Sequence, residues 1–265
     1  MPDALFVDAV GRHHALAGHD CRIVSLVPSL TELLFALGLD DRIVGRTGFC
    51  VHPRERVANL PKVGGTKAVK LDRLRALAPT HVIVNIDENE RDTVDEIAAF
   101  VPNVIVTHPC APDDNIALYH LLGGIFGRLP EAQALSVALQ HGIDTLRAAA
   151  WPQRRVLYLI WRAPWMTVSP DTYISAMLRL VEWRTMPASP AVRYPVVELD
   201  DTTLADIDLI LLSTEPYRFR ETHVAEIQAM TGKPVRLVDG EMISWYGSRA
   251  IAGLAYLRDF AQAPD

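Results

Sequence analysis

The stretch RIVSLVPSLTELLFALGL, residues Arg22 to Leu39, carries the reading of the fold. Ile23, Val24 and Leu26 form a short apolar run suited to a strand covered on both faces. Pro28 stops that run. Ser29 is placed to cap a following helix by accepting a free backbone N–H of its first turn, and Glu32 can reach back to complete a capping box. Leu33, Leu34 and Leu37 then line one helical face, and Gly38 closes the helix. A strand, a tight turn and a helix N-terminus often cradle a phosphate. That job needs glycines, so that the backbone can wrap the anion. The turn here reads V-P-S-L-T and has none, so the unit is a capped βα element and not a nucleotide loop.

Outward from this unit the same alternation repeats. DRIVGRT follows as a strand, LDRLRALAP as a helix leading into THVIVN, and ERDTVDEIAAF as a helix leading into NVIVTH. Such alternation predicts parallel sheets flanked by helices. DDNIALYHLLGGIFG continues as a helix whose two central glycines lower its propensity. A long helix is then expected from about Pro130 to Ala149, ending before Pro152. The pattern restarts with the strand RVLYLIW, the helix DTYISAMLRLVEW, the strand DLILLST, the helix ETHVAEIQAM, the strand PVRLVD and a last helix SRAIAGLAYLRDFAQ. LRALAPTHVIVN before the long helix resembles LADIDLILLST after it, each a short helix feeding a buried strand. The predicted fold class is α/β: two Rossmann-like lobes with mostly parallel sheets, joined by a single long helix, with a ligand cleft between the lobes. The division is an N-terminal extension over 1–21, a first lobe over 22–128, a connecting helix over 129–151 and a second lobe over 152–265.

The 265 residues, 49% hydrophobic and 22% charged, can bury a sizeable core. A net charge of −6 argues against nonspecific binding to nucleic acid or to an anionic membrane surface. Three cysteines, Cys21, Cys50 and Cys110, do not make a disulfide framework. The first twenty residues lack a basic start followed by a long apolar region, so no secretory leader is read there. The chain is expected to be cytoplasmic unless a leader was removed or lies upstream. His13, His14 and His19 are read as part of a solvated terminus.

RIVSLVPSLTELLFALGL, followed by VGRT and by LPKVGGTKAVKLDRLRALAPTHVIV, resembles the substrate-binding proteins of ABC importers for vitamin B12, haem and iron–siderophore complexes. The likeness runs from about Arg22 to about Phe260. It implies two lobes on one rigid helix, a periplasmic location, a monomer, a small-molecule ligand and an ABC permease as partner, with no cofactor required. It also implies docking through one acidic residue per lobe, at Asp72 in VKLDRL and at Asp200 in VVELDDTT, with Glu198 and Asp201 beside it. Exposed carboxylates facing permease arginines suit steering and orientation.

Ligands of two-lobed α/β proteins bind at the carboxyl ends of strands. In the first lobe this selects Phe49, Cys50 and His52 after one strand and Asn85, Asp87, Glu88 and Asn89 after another, with Thr66 in the GGTKAV segment. Cys50 and His52, two apart in an extended segment, face the same way and could supply two ligands to a metal or metal chelate. In the resemblance to B12-binding relatives, the positions of Thr66 and Asn85 carry tryptophan that packs on the corrin ring. The polar residues here imply a ligand smaller or more polar than B12 itself. In the second lobe the same rule selects Trp161, Arg162, Trp165 and Tyr173, then Tyr194, Glu215, Tyr217, Trp245, Tyr246 and Arg249. Trp165 and Tyr194 match aromatic positions of the B12-binding pattern. Aromatic rings supply apolar area and π-faces, while Arg162 and Arg249 could clamp an anion unless carboxylates such as Glu215 or Glu241 pair with them.

No nucleophile elbow, phosphate-binding loop, dinucleotide fingerprint or H-E-x-x-H motif occurs. The chain is therefore read as a binding protein and not an enzyme. It would capture a small metal-chelate or corrinoid-like ligand. A cytoplasmic enzyme or ligand sensor built on the same scaffold is the competing class.

Overall fold

The computed structural model describes residues 6–264. It opens with a short antiparallel pair, β1 (Phe6–Val7) and β2 (His13–His14). The turn between them is organised by Asp8, whose carboxylate accepts the N–H groups of Val10 and Arg12 and meets His14 Nε2 at 3.1 Å. Asp8 also accepts the N–H of Val106, while the Ala9 N–H donates to the Val106 carbonyl. His14 is thus a buried partner of Asp8 and not part of a solvated terminus, which corrects the reading of the histidine cluster. Composition alone could not reveal that a carboxylate six residues earlier would hold it.

Strand β3 (Ile23–Ser25) is wholly buried and leads into helix α1 (Pro28–Ala36). The helix begins at Pro28 with Val27 as its cap, so Ser29 lies inside the first turn and makes no capping bond. Proline has the helical φ already set and lacks the N–H that a cap would satisfy, so it takes the first position and displaces the expected serine cap. Strand β4 (Ile43–Arg46), the short helices α2 (Arg54–Val57) and α3 (Leu71–Ala76), strand β5 (His81–Asn85), helix α4 (Arg91–Ala98) and strand β6 (Asn103–Thr107) follow. The sheet is parallel throughout, in the order β4-β3-β5-β6. Val24, Leu26, Val82, Val84, Val104 and Val106 build its core with Leu74 and Ile97.

Helix α5 (Asp114–Ile125) carries Gly123 and Gly124. A Cβ on Gly124 would lie 2.1 Å from the Phe6 ring, and one on Gly123 would lie 2.5 Å from Ala132. The two glycines are there for close packing, and the helix accepts their lower propensity in exchange. Helix α6 (Leu129–Ala148) then runs for 20 residues.

Beyond it come β7 (Arg154–Leu159), α7 (Tyr173–Arg179), β8 (Trp183–Thr185), α8 (Asp201–Leu204), β9 (Leu209–Ser213), α9 (Glu221–Thr231), β10 (Val235–Val238), α10 (Gly240–Ser244) and α11 (Arg249–Gln262). The helix expected over DTYISAMLRLVEW stops at Arg179. Glu182 takes a left-handed φ of 58° and Trp183, wholly buried, begins a strand instead. Burying that indole in the sheet overrides the helical spacing that led up to it. This sheet is also parallel, in the order β10-β9-β7-β8.

The chain forms two units, residues 6–109, 115–137 and 246–248 in the first, residues 110–114, 138–245 and 249–264 in the second. The chain passes between them within α6 and also around residues 110–114 and 246–248. Residues 6–21, read as an extension, belong to the first unit, and residues 1–5 lie outside the described residues. Counted from its own first strand, each four-stranded sheet has the order 2-1-3-4, so the two units repeat one topology. In such a sheet the chain leaves the first strand in one direction and the third in the other, opening a crevice between their carboxyl ends. That places the candidate sites after β3 and β5 in one unit and after β7 and β9 in the other.

Candidate ligand-binding surfaces

In the first unit the crevice is filled by the protein's own chain. Gly247, at φ +82°, lies so close to helix α1 that a Cβ would stand 3.1 Å from the Ser29 carbonyl oxygen and 3.3 Å from Leu33 Cβ. Its N–H donates to Asn115 Oδ1 at 2.6 Å, and its carbonyl accepts the Tyr119 hydroxyl at 2.9 Å. Tyr246, beside it, donates its hydroxyl to Glu88 Oε1 at 2.7 Å, on the loop after β5. Burial, then the Glu88 charge, push the Tyr246 phenol well above its ordinary range, so it stays a donor. Residues 246–248 are therefore seated on the flank of α1, against Ser29 and Leu33. Asn115 and Tyr119 carry no motif, and only the folded chain brings them to this place.

The loop after β5 is held at several points. The Asn85 N–H donates to Asn89 Oδ1 at 2.9 Å, and Asn89 Nδ2 donates to the Thr66 carbonyl at 2.8 Å. Asn85 Oδ1 accepts the Asp87 N–H at 2.8 Å, and Asn85 Nδ2 donates to Thr107 Oγ1 at 3.4 Å. Asp87 Oδ2 stands 3.4 Å from His108 Nε2. Asn85 and Asn89 are buried and organise the loop, while Ile86 stands exposed at its tip.

After β4, Phe49 is 63% exposed and packs over Gly65, with Val51 exposed nearby in sequence. Gly64, at φ +113°, fixes the neighbouring turn, where any Cβ would strike the Ala68 carbonyl oxygen. Cys50 points the other way from its neighbours. It is wholly buried, accepts the Thr31 hydroxyl at 3.0 Å and meets Thr47 Oγ1 at 3.2 Å. Burial pushes its thiol up, the opposite of what a metal-binding thiolate needs. Among the described residues no group of three or more His, Cys, Asp or Glu side chains could hold a metal ion. The expected Cys50–His52 metal pair is corrected accordingly: the Cys50 thiol is buried and bonded by Thr31 and Thr47.

In the second unit the crevice presents rings. Trp161 is 41% exposed and meets Tyr217 edge to face, with centroids 5.7 Å apart. The Tyr217 N–H donates to the Ile160 carbonyl, tying the loops after β7 and β9 together. Trp165 stacks parallel to Phe219 at 6.4 Å and packs on the unit's core with Tyr217. Tyr194 is 39% exposed, whereas Tyr173 is buried at the start of α7. Arg162 forks onto Glu226, one contact being 2.9 Å, with its guanidinium 5.5 Å over the Trp165 ring. Arg249 meets Glu241 at 3.3 Å and lies 4.9 Å over the Trp245 ring. Both arginines therefore have carboxylate partners within the protein, Glu226 being one that sequence distance hid. Glu215 is half-buried and accepts the Trp245 indole N–H at 2.6 Å and the Ser244 hydroxyl at 2.9 Å.

The acidic positions fall at matching places in the two units. Asp72 lies in the first turn of α3 and its side chain is fully exposed; Asp200 is the exposed cap of α8, accepting the Thr203 N–H at 2.8 Å. Each short helix leads into the third strand of its sheet.

A model of the periplasmic binding protein family matches residues 23–232. A vitamin B12-binding protein of Photorhabdus laumondii is 23% identical over 203 residues, covering 76% of this chain and 73% of its own length. The solved structure of the periplasmic heme-binding protein RhuT from Roseiflexus sp. RS-1 aligns with a TM-score of 0.77 at 21% identity, over 92% of this chain and 100% of that one. The periplasmic vitamin B12-binding protein BtuF of Vibrio cholerae aligns with a TM-score of 0.75 at 18% identity, over 91% and 98%. The structural likeness is one of fold, and these relatives are binding proteins and not enzymes.

Proposed function

Since the chain belongs to the periplasmic binding protein family, we propose that it captures a small ring-bearing ligand, a metal chelate or corrinoid-like molecule, and delivers it to an ABC importer. The observation that carries this reading is the exposed Trp161 ring set edge-on to Tyr217 at the second unit's crevice, where a planar ligand gains both apolar area and a π-face. Within the first unit, Phe49, Val51 and Ile86 are large apolar side chains left exposed at strand ends. Arg162 and Arg249 are already paired with Glu226 and Glu241, so ring and apolar contact, more than an arginine clamp, supplies the binding. Thr66 favours a ligand smaller or more polar than cobalamin, while Asn85, buried and bonded to Asp87 and Thr107, serves its own loop. Asp72 and Asp200, at equivalent places in the repeat, are the residues we assign to permease docking, and the periplasm is the place of work this reading implies.

Titration with haemin, cobinamide and cyanocobalamin, followed by tryptophan fluorescence, tests the ligand class. One of the smaller chelates is expected to bind more tightly than cyanocobalamin. Trp161→Ala should weaken that binding by about tenfold or more, the loss of one ring contact with its burial. Stability should change by no more than about 0.5 kcal/mol, as for other exposed positions. No binding of any of the three by the wild type would overturn the ring-ligand reading.

A further inference from the structure

We propose that Tyr246 is a positioning residue for the loop 85–89 and not itself a ligand contact. The inference rests on the reading of that loop as part of the binding surface. Tyr246 is buried, so its ring offers no open face, and its hydroxyl ends on Glu88 Oε1 at 2.7 Å. The loop is also set by its own asparagines and, at Asn85 and Asp87, by Thr107 and His108 beyond the end of β6. Asn85 and Asn89 bond to one another and to Thr66, and the N–H groups of Glu88 and Asn89 donate to the Asn85 carbonyl at 3.3 and 3.0 Å. Tyr246 reaches the loop from a point 158 residues further along the chain.

The tyrosine can do this because its own backbone is held. Gly247 next to it is bonded on both sides, to Asn115 Oδ1 and to the Tyr119 hydroxyl, and at φ +82° is seated against helix α1 where a Cβ would be crowded. The phenol thus comes from a fixed frame, and what it requires at position 88 is an acceptor oxygen, carboxylate or amide. Ile86, two residues from Glu88, is the exposed apolar residue at the loop tip. Fixing Glu88 fixes where Ile86 stands, which is how a residue without ligand contact would act on binding.

Tyr246→Phe keeps the ring and removes the hydroxyl. Amide hydrogen exchange, read residue by residue, is expected to accelerate about tenfold or more at Glu88 and Asn89. Val82 to Val84 in β5 should exchange as before, and the melting temperature should fall by less than about 4 °C. Glu88→Gln retains an acceptor for the phenol and should behave like wild type, whereas Glu88→Ala should match Tyr246→Phe. For whichever of haemin, cobinamide and cyanocobalamin the wild type binds, Tyr246→Phe should weaken binding about tenfold. Unchanged exchange at 86–89, equal acceleration throughout the first unit, failure of Glu88→Gln to retain protection, or accelerated exchange with unchanged affinity would each overturn the assignment. The exchange arm needs no ligand, so it fails or succeeds separately from the choice of ligand class.

Discussion

Trp245 donates its indole N–H to Glu215 at 2.6 Å, inside a part of the second unit where Asp239 and Glu241 also act on that carboxyl. Burial raises the Glu215 carboxyl above its ordinary range, with the hydrogen bonds of Ser244 and Trp245 opposing and the neighbouring acids adding to the rise. A group whose folded pKa is raised contributes stability at low pH and loses it as pH climbs through the folded value. Glu215→Gln keeps an acceptor for both donors and removes the charge. The variant is expected to gain on wild type in urea denaturation as pH rises from about 4.5 toward neutrality, and to show no advantage below the ordinary glutamate value. A constant difference at all pH values would show that Glu215 titrates as if solvated.

His81 behaves in the opposite sense. Burial, and then the charge of His14, bring its pKa down to about 4. Its Nδ1 meets Thr80 Oγ1 at 2.8 Å, and its ring stands edge to face with Phe126. An unfolded chain takes up that proton near the ordinary histidine value, so the contribution of His81 is complete above about 6.5 and is lost as pH falls toward 4. His81→Asn should flatten this part of the acid limb. An acid limb of unchanged steepness in the variant would exclude His81 as its source.

Gly124→Ala sets two effects against each other. Alanine should favour the helix by roughly 1 kcal/mol over glycine. The new Cβ would sit 2.1 Å from the Phe6 ring, and the ring must move or leave. Overpacking of this kind costs about 1–3 kcal/mol, so the net change is destabilising. Phe6 anchors the segment whose Asp8 and Ala9 cover Val106, so faster exchange of the Val106 amide should accompany the loss. A stabilised variant with Val106 still protected would mean that Phe6 shifts at no cost.

The βα alternation was legible because buried parallel strands read as short apolar runs. The repeat was legible too, since α3 into β5 and α8 into β9 carry the same pattern of short helix and apolar strand. What escaped was set by contacts between residues far apart in the chain. Ser29 looks like a cap until Pro28 takes the first turn. Cys50 and His52 look like a ligand pair until two threonines claim the thiol. Arg162 looks like an anion clamp, but Glu226, 64 residues away, meets it. Asn89, Asn115 and Tyr119 belong to no motif, and their roles exist only because the fold brings residues 66, 88 and 247 beside them. Aromatics stood out by type, but type could not separate the buried Trp245 from the exposed Trp161.

The seating of residues 246–248 in the first unit has a consequence for how the protein is made. Asn115 waits for a partner 132 positions downstream, and Glu88 for one 158 positions downstream. A ribosome will have produced every strand of both sheets before it produces the tripeptide that finishes the earlier one. Contacts of such long sequence separation form late and slowly, because the loop they close must be ordered before they stabilise anything. The contacts that Asn115, Tyr119 and Glu88 make with residues 246–248 can therefore form only after that tripeptide has left the ribosome, when both sheets have already been made.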